Sequence, residues 1–415
     1  MQLLQVDDLS TAREKVKAVF EKSLLKTQVK KVEESLGCVV AEDVVCQIMI
    51  PQFRRSTVDG YAVIASNTQG ASESIPVFLD MIEDVEIGEV PKKIVNHGQC
   101  SYVPTGGMLP EGANAMVMVE YSDEFTANQM ALYKGVAEGD NVVQIGEDLE
   151  AGDIVLHKGT VIRGQEMGAL CAASIQEVVV YKPLNVSIIS TGNELVGIDQ
   201  PLVMGKVKDI NTSAISGLAT DLGMVVVESI LVKDEEEEIR SALKSGKEIA
   251  DLIIISGGSS KGKKDMTERL IDEVSKEGVF THGLALKPGK PTIIGWDGES
   301  KSLFLGLPGH PVAAMMVFRL LLEWLQEEVC GVKKSYSTQA RMETNLAGAP
   351  GRETCILVEI YEEQDVKGRG CHYIAKPILG KSGLISTLTR AYGYVLIEKN
   401  TEGLKTGELV NVWPV

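Results

Sequence analysis

Apolar side chains at Val6, Leu9, Val16, Val19, Phe20 and Leu24 follow a helical spacing, and Asp8 or Ser10 can cap the start of that helix. The period then changes. From Cys38 to about Ile145, short β-branched runs such as CVVAEDVV, YAVIA, IPVFLDMI and AMVMVE are broken by Gly, Pro and Asn, as in a small all-β module. The next stretch, GEDLEAGDIVLHKGTVIRGQEMGALCAASIQEVVVYKP, predicts a return strand, a helix over about 165–173 and a further strand. It is expected to rejoin the N-terminal segment, which would make the β module an insertion.

From Val186 the pattern becomes strand, helix, strand. VSIIS precedes a helix over 212–222 closed by Gly223, then come VVVESILV and the helix DEEEEIRSALKSG. LIIIS, a helix over 265–276, PTIIGW, LFLGL and the long helix HPVAAMMVFRLLLEWLQEEVCG follow. Near-continuous apolar strands alternating with helices predict a doubly wound αβα layer with a mostly parallel sheet. Beyond Gly331, VKKSYSTQA reads as a linker, and ILVEIY, YIAKPIL, YVLIEK and LVNVWPV as strands of a C-terminal, barrel-like β domain. The fold class is thus multidomain α/β plus β. The expected units are 1–45 with 147–183 as an elongated α/β linker domain, 46–146 as the inserted module, 184–332 as the αβα domain and 333–415 as the C-terminal domain.

Composition narrows the partners. With 41 Lys plus Arg against 58 Asp plus Glu, the net charge of -17 repels nucleic acid and anionic membrane as a whole, so an anionic ligand needs a local basic pocket. No run of about 18 uncharged apolar residues occurs, and the N-terminus MQLLQVDDLSTAREK carries acids where a signal peptide needs a basic and then an apolar run. Seven cysteines with no C-x-x-C suggest neither a disulfide framework nor a zinc knuckle, and a reducing cytoplasm fits.

The candidate chemistry lies between Asp251 and Pro311, where DLIIISGGSSKGKKD, LKPGKP and LFLGLPGHP each run an apolar segment into Gly, Pro and mostly basic residues. Bare amides at the carboxyl ends of parallel strands, beside a helix start, make an anion site. Ser256, Gly257 and Gly258 supply the loop, and Lys261, Lys263 and Lys264 favour a bound anion over a ligand-free turn. The same stretch matches G-x-S-x-G, which would make Ser260 a hydrolase nucleophile with His282 or His310 as base. GKS at 380–382 lacks the upstream Gly of a nucleotide P-loop, since Ala375 stands there. The five histidines form no H-x-x-x-H pair. Asp148, Glu194, Asp234 and Asp265 fall where strands should end. Each alone reads as a cap or surface charge, but together, beside phosphate loops, they suit Mg²⁺.

Taken in order, P-x-F-x-x-S-x-x-D-G-Y-A at 51–62, TGG-x-x-P-x-G-A-x-A at 105–115, STGNEL, DINTS, SGGSSKGKKD, KPGKP and LPGHP resemble the molybdopterin molybdenumtransferases, the group of MoeA and the gephyrin E domain. The resemblance implies Mg²⁺-dependent insertion of molybdate into adenylylated molybdopterin with release of AMP. It also implies a homodimer whose cleft lies between the αβα domain of one subunit and the β module of the other, and it points to the molybdopterin adenylyltransferase as a further partner. Carried over by position, the acidic set is Asp59, Asp148, Glu194, Asp234 and Asp265, with Asp265 and Glu194 nearest the metal. Thr105, Lys287, Pro308, Pro311 and Ser382 match other cleft residues, and Lys290 and His310 join them as candidates for substrate binding. The chain departs from the family pattern at His310 (usually Asn), Lys261 (commonly Val or Met), Gly283 (a lysine in some members), Leu357 (frequently arginine) and Lys381 (glycine). Such changes could re-tune the pocket between molybdate and tungstate. A pterin-binding scaffold without turnover is the non-enzymatic alternative.

Overall fold

The computed structural model describes residues 6–257, 263–332, 336–364, 371–379 and 386–415, with backbone alone at 263–265, 364, 371, 386 and 388. Its central sheet runs in the order 225–232, 185–191, 252–257, 302–307, 293–297, 278–281. The first four strands are parallel; 293–297 runs antiparallel to both of its neighbours, so 278–281 points the same way as the first four. Because successive side chains leave opposite faces of a strand, the all-apolar runs feed two cores at once. Ile188, Ile254 and Leu305 enter one core with helices Leu9–Ser23, Ile210–Asp221 and Pro311–Phe318. Ile189, Ile253, Ile255 and Phe304 enter the other with helices Glu236–Ile249 and Lys263–Val274.

Local signals explain the helix boundaries. The N-terminal helix starts after Asp8, whose Oδ1 accepts from the Thr11 amide at 2.8 Å. Asp209 caps Ile210–Asp221 in the same way, so this helix begins two residues before its expected start at 212. The acidic residues 236–238 occupy the first turn of Glu236–Ile249, where the helix dipole favours them. The long helix expected to end at Gly331 does end there, with Gly331 left-handed at φ 74°, but residues Arg319–Glu323 form a π turn between Pro311–Phe318 and Trp324–Cys330.

The N-terminal helix packs its Leu9, Ala12, Val16 and Phe20 on the αβα layer. Its continuation Thr27–Lys31 pairs antiparallel with Glu177–Tyr181, and Val44–Val45 pairs with Ile154–Leu156. Around these pairs Val32, Val40, Ile162, Leu170, Val178 and Val180 form a small core of their own. Between the pairs sits a separate sheet, ordered 115–118, 60–63, 99–103, 77–84, 129–132, 122–126.

In the C-terminal region 353–364, 371–377, 338–342, 409–414 and 393–397 close into a five-stranded barrel, because 393–397 also pairs with 353–364. Thr338–Met342 is a barrel strand, so the stretch expected to be a linker overlaps a strand from Thr338 on, where pairing with 409–412 satisfies its backbone. Leu286–Lys287, leaving the αβα layer, pairs parallel with Glu353–Thr354 and joins the two domains directly above the basic loop.

Candidate anion cleft and strand-end site

The parallel strands 185–191 and 252–257 end side by side, Thr191 opposite Gly257. A Cβ at Gly257, which has φ 121°, would lie 2.1 Å from the Thr191 carbonyl oxygen, so only glycine lets these strand ends approach. Thr191 donates through Oγ1 to Asp234 Oδ1, and the Asp234 amide reaches Asn193 Oδ1 at 3.2 Å. Glu194 is exposed on the same loop. Its carboxylate has no partner among the described residues, and the Val207 amide holds its carbonyl at 2.9 Å.

Ser256 is 1% exposed and accepts from Asn211 Nδ2 at 2.6 Å. The same Nδ2 donates to the Gly309 carbonyl at 3.0 Å. Asn211, two residues inside the helix capped by Asp209, thereby ties two strand ends to the start of that helix. Its buried Oδ1 has no partner among the described residues. Sequence reading quoted DINTS without singling out this asparagine. The signal was the D-x-x-T cap, which fixes the helix start and turns the position between toward the sheet.

The third loop closes by a bond from the Leu284 amide to the Lys290 carbonyl, 3.1 Å. It opens a cleft of about 290 Å³ lined by Lys287, Gly289, Lys290, Pro308, His310 and Arg352 among others. The side chains of Lys287, Lys290 and Arg352 have no hydrogen-bond or ion-pair partner among the described residues. Three uncommitted cations in a chain of net charge -17 form a local positive field that an anion can neutralise. Pro311 starts the adjoining helix, with His310 at its N-cap. Arg352 was not anticipated; it comes from the barrel and reaches the cleft through the 286–287 and 353–354 pairing. Leu357, at the position where the family frequently has arginine, is 7% exposed in the apolar core, so it lends the cleft no charge. Gly283 is buried.

The other predicted residues lie elsewhere. Asp59 and Thr105 meet on the β module, where Asp59 Oδ1 accepts from the Thr105 amide at 2.8 Å and so fixes the TGG turn. Asp148 is exposed near the base of the module, its amide on the Ile50 carbonyl at 3.0 Å. Among the described residues, no hydrogen bond or ion pair joins either group to the strand ends. Asp265 lies in the first turn of Lys263–Val274, but its side chain is outside the described part. Gly258, Ser260, Lys261, Lys381 and Ser382 are also outside the described residues. His282, the other base considered for Ser260, holds Glu268 through Nδ1 at 2.6 Å. Among the described residues no three His, Cys, Asp or Glu side chains group as a metal site. A larger groove of about 690 Å³, between the N-terminal helix and the 177–181 strand, contains none of the predicted site residues.

An αβα layer with closely packed strand ends beside a cationic cleft, joined to a β module and a barrel that lends it an arginine, defines a multidomain protein of the molybdopterin-binding type. Three family models match in succession: the MoeA N-terminal region (domain I and II) over residues 8–174, the probable molybdopterin binding domain over 187–327, and the MoeA C-terminal region (domain IV) over 339–415. A Methanocaldococcus jannaschii protein named for molybdopterin biosynthesis is 33% identical over 98% of both chains. The molybdopterin molybdenumtransferase of Bacillus subtilis is 29% identical over 92% of this chain and 88% of its own. The crystal structure of the molybdopterin biosynthesis MoeA protein from Pyrococcus horikoshii superposes with a TM-score of 0.80 at 32% identity, covering 99% of each chain. The chain belongs to the MoeA family, the molybdopterin molybdenumtransferases, and is an enzyme of the transferase class.

Proposed function

We propose that this protein inserts molybdate into adenylylated molybdopterin and releases AMP, the last step in making the molybdenum cofactor. The observation that carries this reading is the cleft where Lys287, Lys290 and Arg352 stand without counter-charges among the described residues. At about 290 Å³ it lies just below the usual range of roughly 300–1,000 Å³ for ligand pockets, so it suits an oxyanion rather than a whole pterin nucleotide. The nucleotide's phosphates then belong along the neighbouring strand ends, where the Gly257 backbone and the Asn211 bridge to Gly309 lead from one loop to the next. Lys287, Lys290 and Arg352 hold the oxyanion and offset the charge that builds as AMP leaves.

Mg²⁺ fits this site only as a cation shared with ligand phosphates. Glu194 offers a free carboxylate at a strand end, and the described residues group no third acidic ligand around it. Glu194 and Asp265 would hold it, and it would supply charge neutralisation on the phosphates. Asp59, Thr105 and Asp148 complete the site from the β module of a second copy, which makes the working unit a homodimer. The reading also includes a cytoplasmic location; among the described residues no helix is long and apolar enough to cross a membrane.

The test is AMP release from adenylylated molybdopterin on adding Mg²⁺ with molybdate, and separately with tungstate. Binding of the pterin nucleotide without AMP release under either oxyanion would refute catalysis and leave a pterin-binding scaffold. Faster release with tungstate would reassign the metal.

A further inference from the structure

The loop carrying Lys287 and Lys290 is held on both edges. On one side the Glu353 amide donates to the Ala285 carbonyl at 3.0 Å, and Leu286–Lys287 pairs with the barrel. On the other, the chain's own N-terminal segment adds as a short parallel strand. The Asp7 amide donates to the Gly283 carbonyl at 3.0 Å, the Ala285 amide donates to the Asp7 carbonyl at 2.7 Å, and Asp7 bridges Leu284.

The Asp7 side chain locks that edge. Its carboxylate is only 11% exposed; Oδ2 accepts from Thr281 Oγ1 at 2.7 Å and from Lys15 Nζ at 2.6 Å. Lys15 Nζ also donates to the Phe280 carbonyl at 3.0 Å. One residue on, Asp8 Oδ2 takes Lys399 Nζ of the barrel at 2.7 Å. The N-terminus therefore clamps 280–285 and the barrel at the point where the basic loop leaves the sheet, with two main-chain bonds to that loop.

We propose that Asp7 is a positioning residue for the cationic cleft, acting through Thr281, Lys15 and the 283–285 backbone to hold Lys287 and Lys290 at a spacing set against Arg352. This rests on the reading of the cleft as an oxyanion site. Three like charges repel, so their loop drifts apart unless anchored, and an anion then meets them in sequence rather than together. Asp7 touches no ligand; it is buried beneath the loop, where its two donors leave its charge compensated.

The experiment uses the full chain, wild type and with Asp7→Ala, Asp7→Asn or Thr281→Val, and has two arms. Hydrogen exchange without ligand is expected to speed up at the Leu284 and Ala285 amides in Asp7→Ala, while the amides of 252–257 keep their protection. Calorimetry with tungstate alone is expected to show affinity about tenfold weaker in Asp7→Ala, and recovered in large part by Asn, which keeps the acceptor for Thr281. Thr281→Val, which removes one donor only, shifts both readouts in the same direction by less, so a misfolded alanine variant does not end the test. Unchanged exchange at 284–285, a uniform rise across the whole layer, or unchanged tungstate affinity overturns the proposal. Failure of the wild type to bind tungstate overturns the oxyanion reading instead, and the exchange arm then decides by itself whether Asp7 holds the loop.

Discussion

Arg352→Gln tests the cleft most directly, because it removes a charge that has no partner to leave stranded. The arginine is half-buried and unpaired among the described residues, so its loss should change stability by less than about 0.5 kcal/mol. Its contribution to anion binding is larger. A hydrogen bond to a charged group contributes about 1.5–3 kcal/mol, and solvent at the open rim brings the expected loss toward the lower end, roughly tenfold to thirtyfold in affinity. Lys287→Gln and Lys290→Gln sit at more exposed positions and should each cost roughly three- to tenfold. Because the binding is Coulombic, all four proteins should converge as salt rises, since screening shortens from about 10 Å at 0.1 M to about 3 Å at 1 M. Calorimetric titration of molybdate and tungstate at low and high NaCl, with a melting curve for each variant, reads both effects. Wild-type affinity in Arg352→Gln at low salt, or a loss that does not shrink with salt, refutes the idea that the barrel lends its charge to this cleft.

Further expectations follow from single contacts. Gly257→Ala drives a methyl into the Thr191 carbonyl at a positive φ, so a loss of at least about 2 kcal/mol in urea unfolding is expected, and a loss under 0.5 would show that the strand ends give way easily. Asn211→Ala removes the bonds to Ser256 and Gly309 together with one orphaned acceptor; about 1–2 kcal/mol of stability and most of the AMP release should go, and full activity would remove Asn211 from the site. At Asp297 burial opposes ionisation, but Lys247, both donors of Ser300 and the Lys276 amide outweigh it and hold the carboxyl well below its usual range. A lowered folded pKa contributes stability above the unfolded value near 3.9 and loses it as pH falls through the folded one. The gap between wild type and Asp297→Asn should therefore be full at pH 7 and shrink below about pH 4, and a gap that widens in acid would contradict this sign.

Much of the architecture was legible because it depends on local rules. Near-continuous apolar runs such as LIIIS and LFLGL had to be strands covered on both faces, and Gly223 and Gly331 mark helix ends through caps that work within a few residues. The glycine loops suggested an anion site in the same local way, since bare amides after a buried strand suit an oxyanion. Arg352 was invisible for the opposite reason. Nothing near GRETC says that its strand will pair with Leu286–Lys287, more than sixty residues earlier, and that pairing alone brings the guanidinium to the lysines. The break of the last αβα helix into a π turn at Arg319–Glu323 has no local breaker in RLLLE.

By itself the sequence determined which segments are strands and helices, which loops carry bare backbone, and that an acidic chain must concentrate its positive charge somewhere. Those are properties of neighbours along the chain: periodicity, caps and composition. The tertiary structure alone decided where the charge gathers, because the cleft is made where an N-terminal strand, a loop of the αβα layer and the mouth of the barrel meet. It also decided that Asn211 joins Ser256 to Gly309, a contact spanning 45 residues one way and 98 the other. Such contacts follow from packing helices onto the sheet and from pairing the barrel with it, and no window of sequence contains the groups that make them.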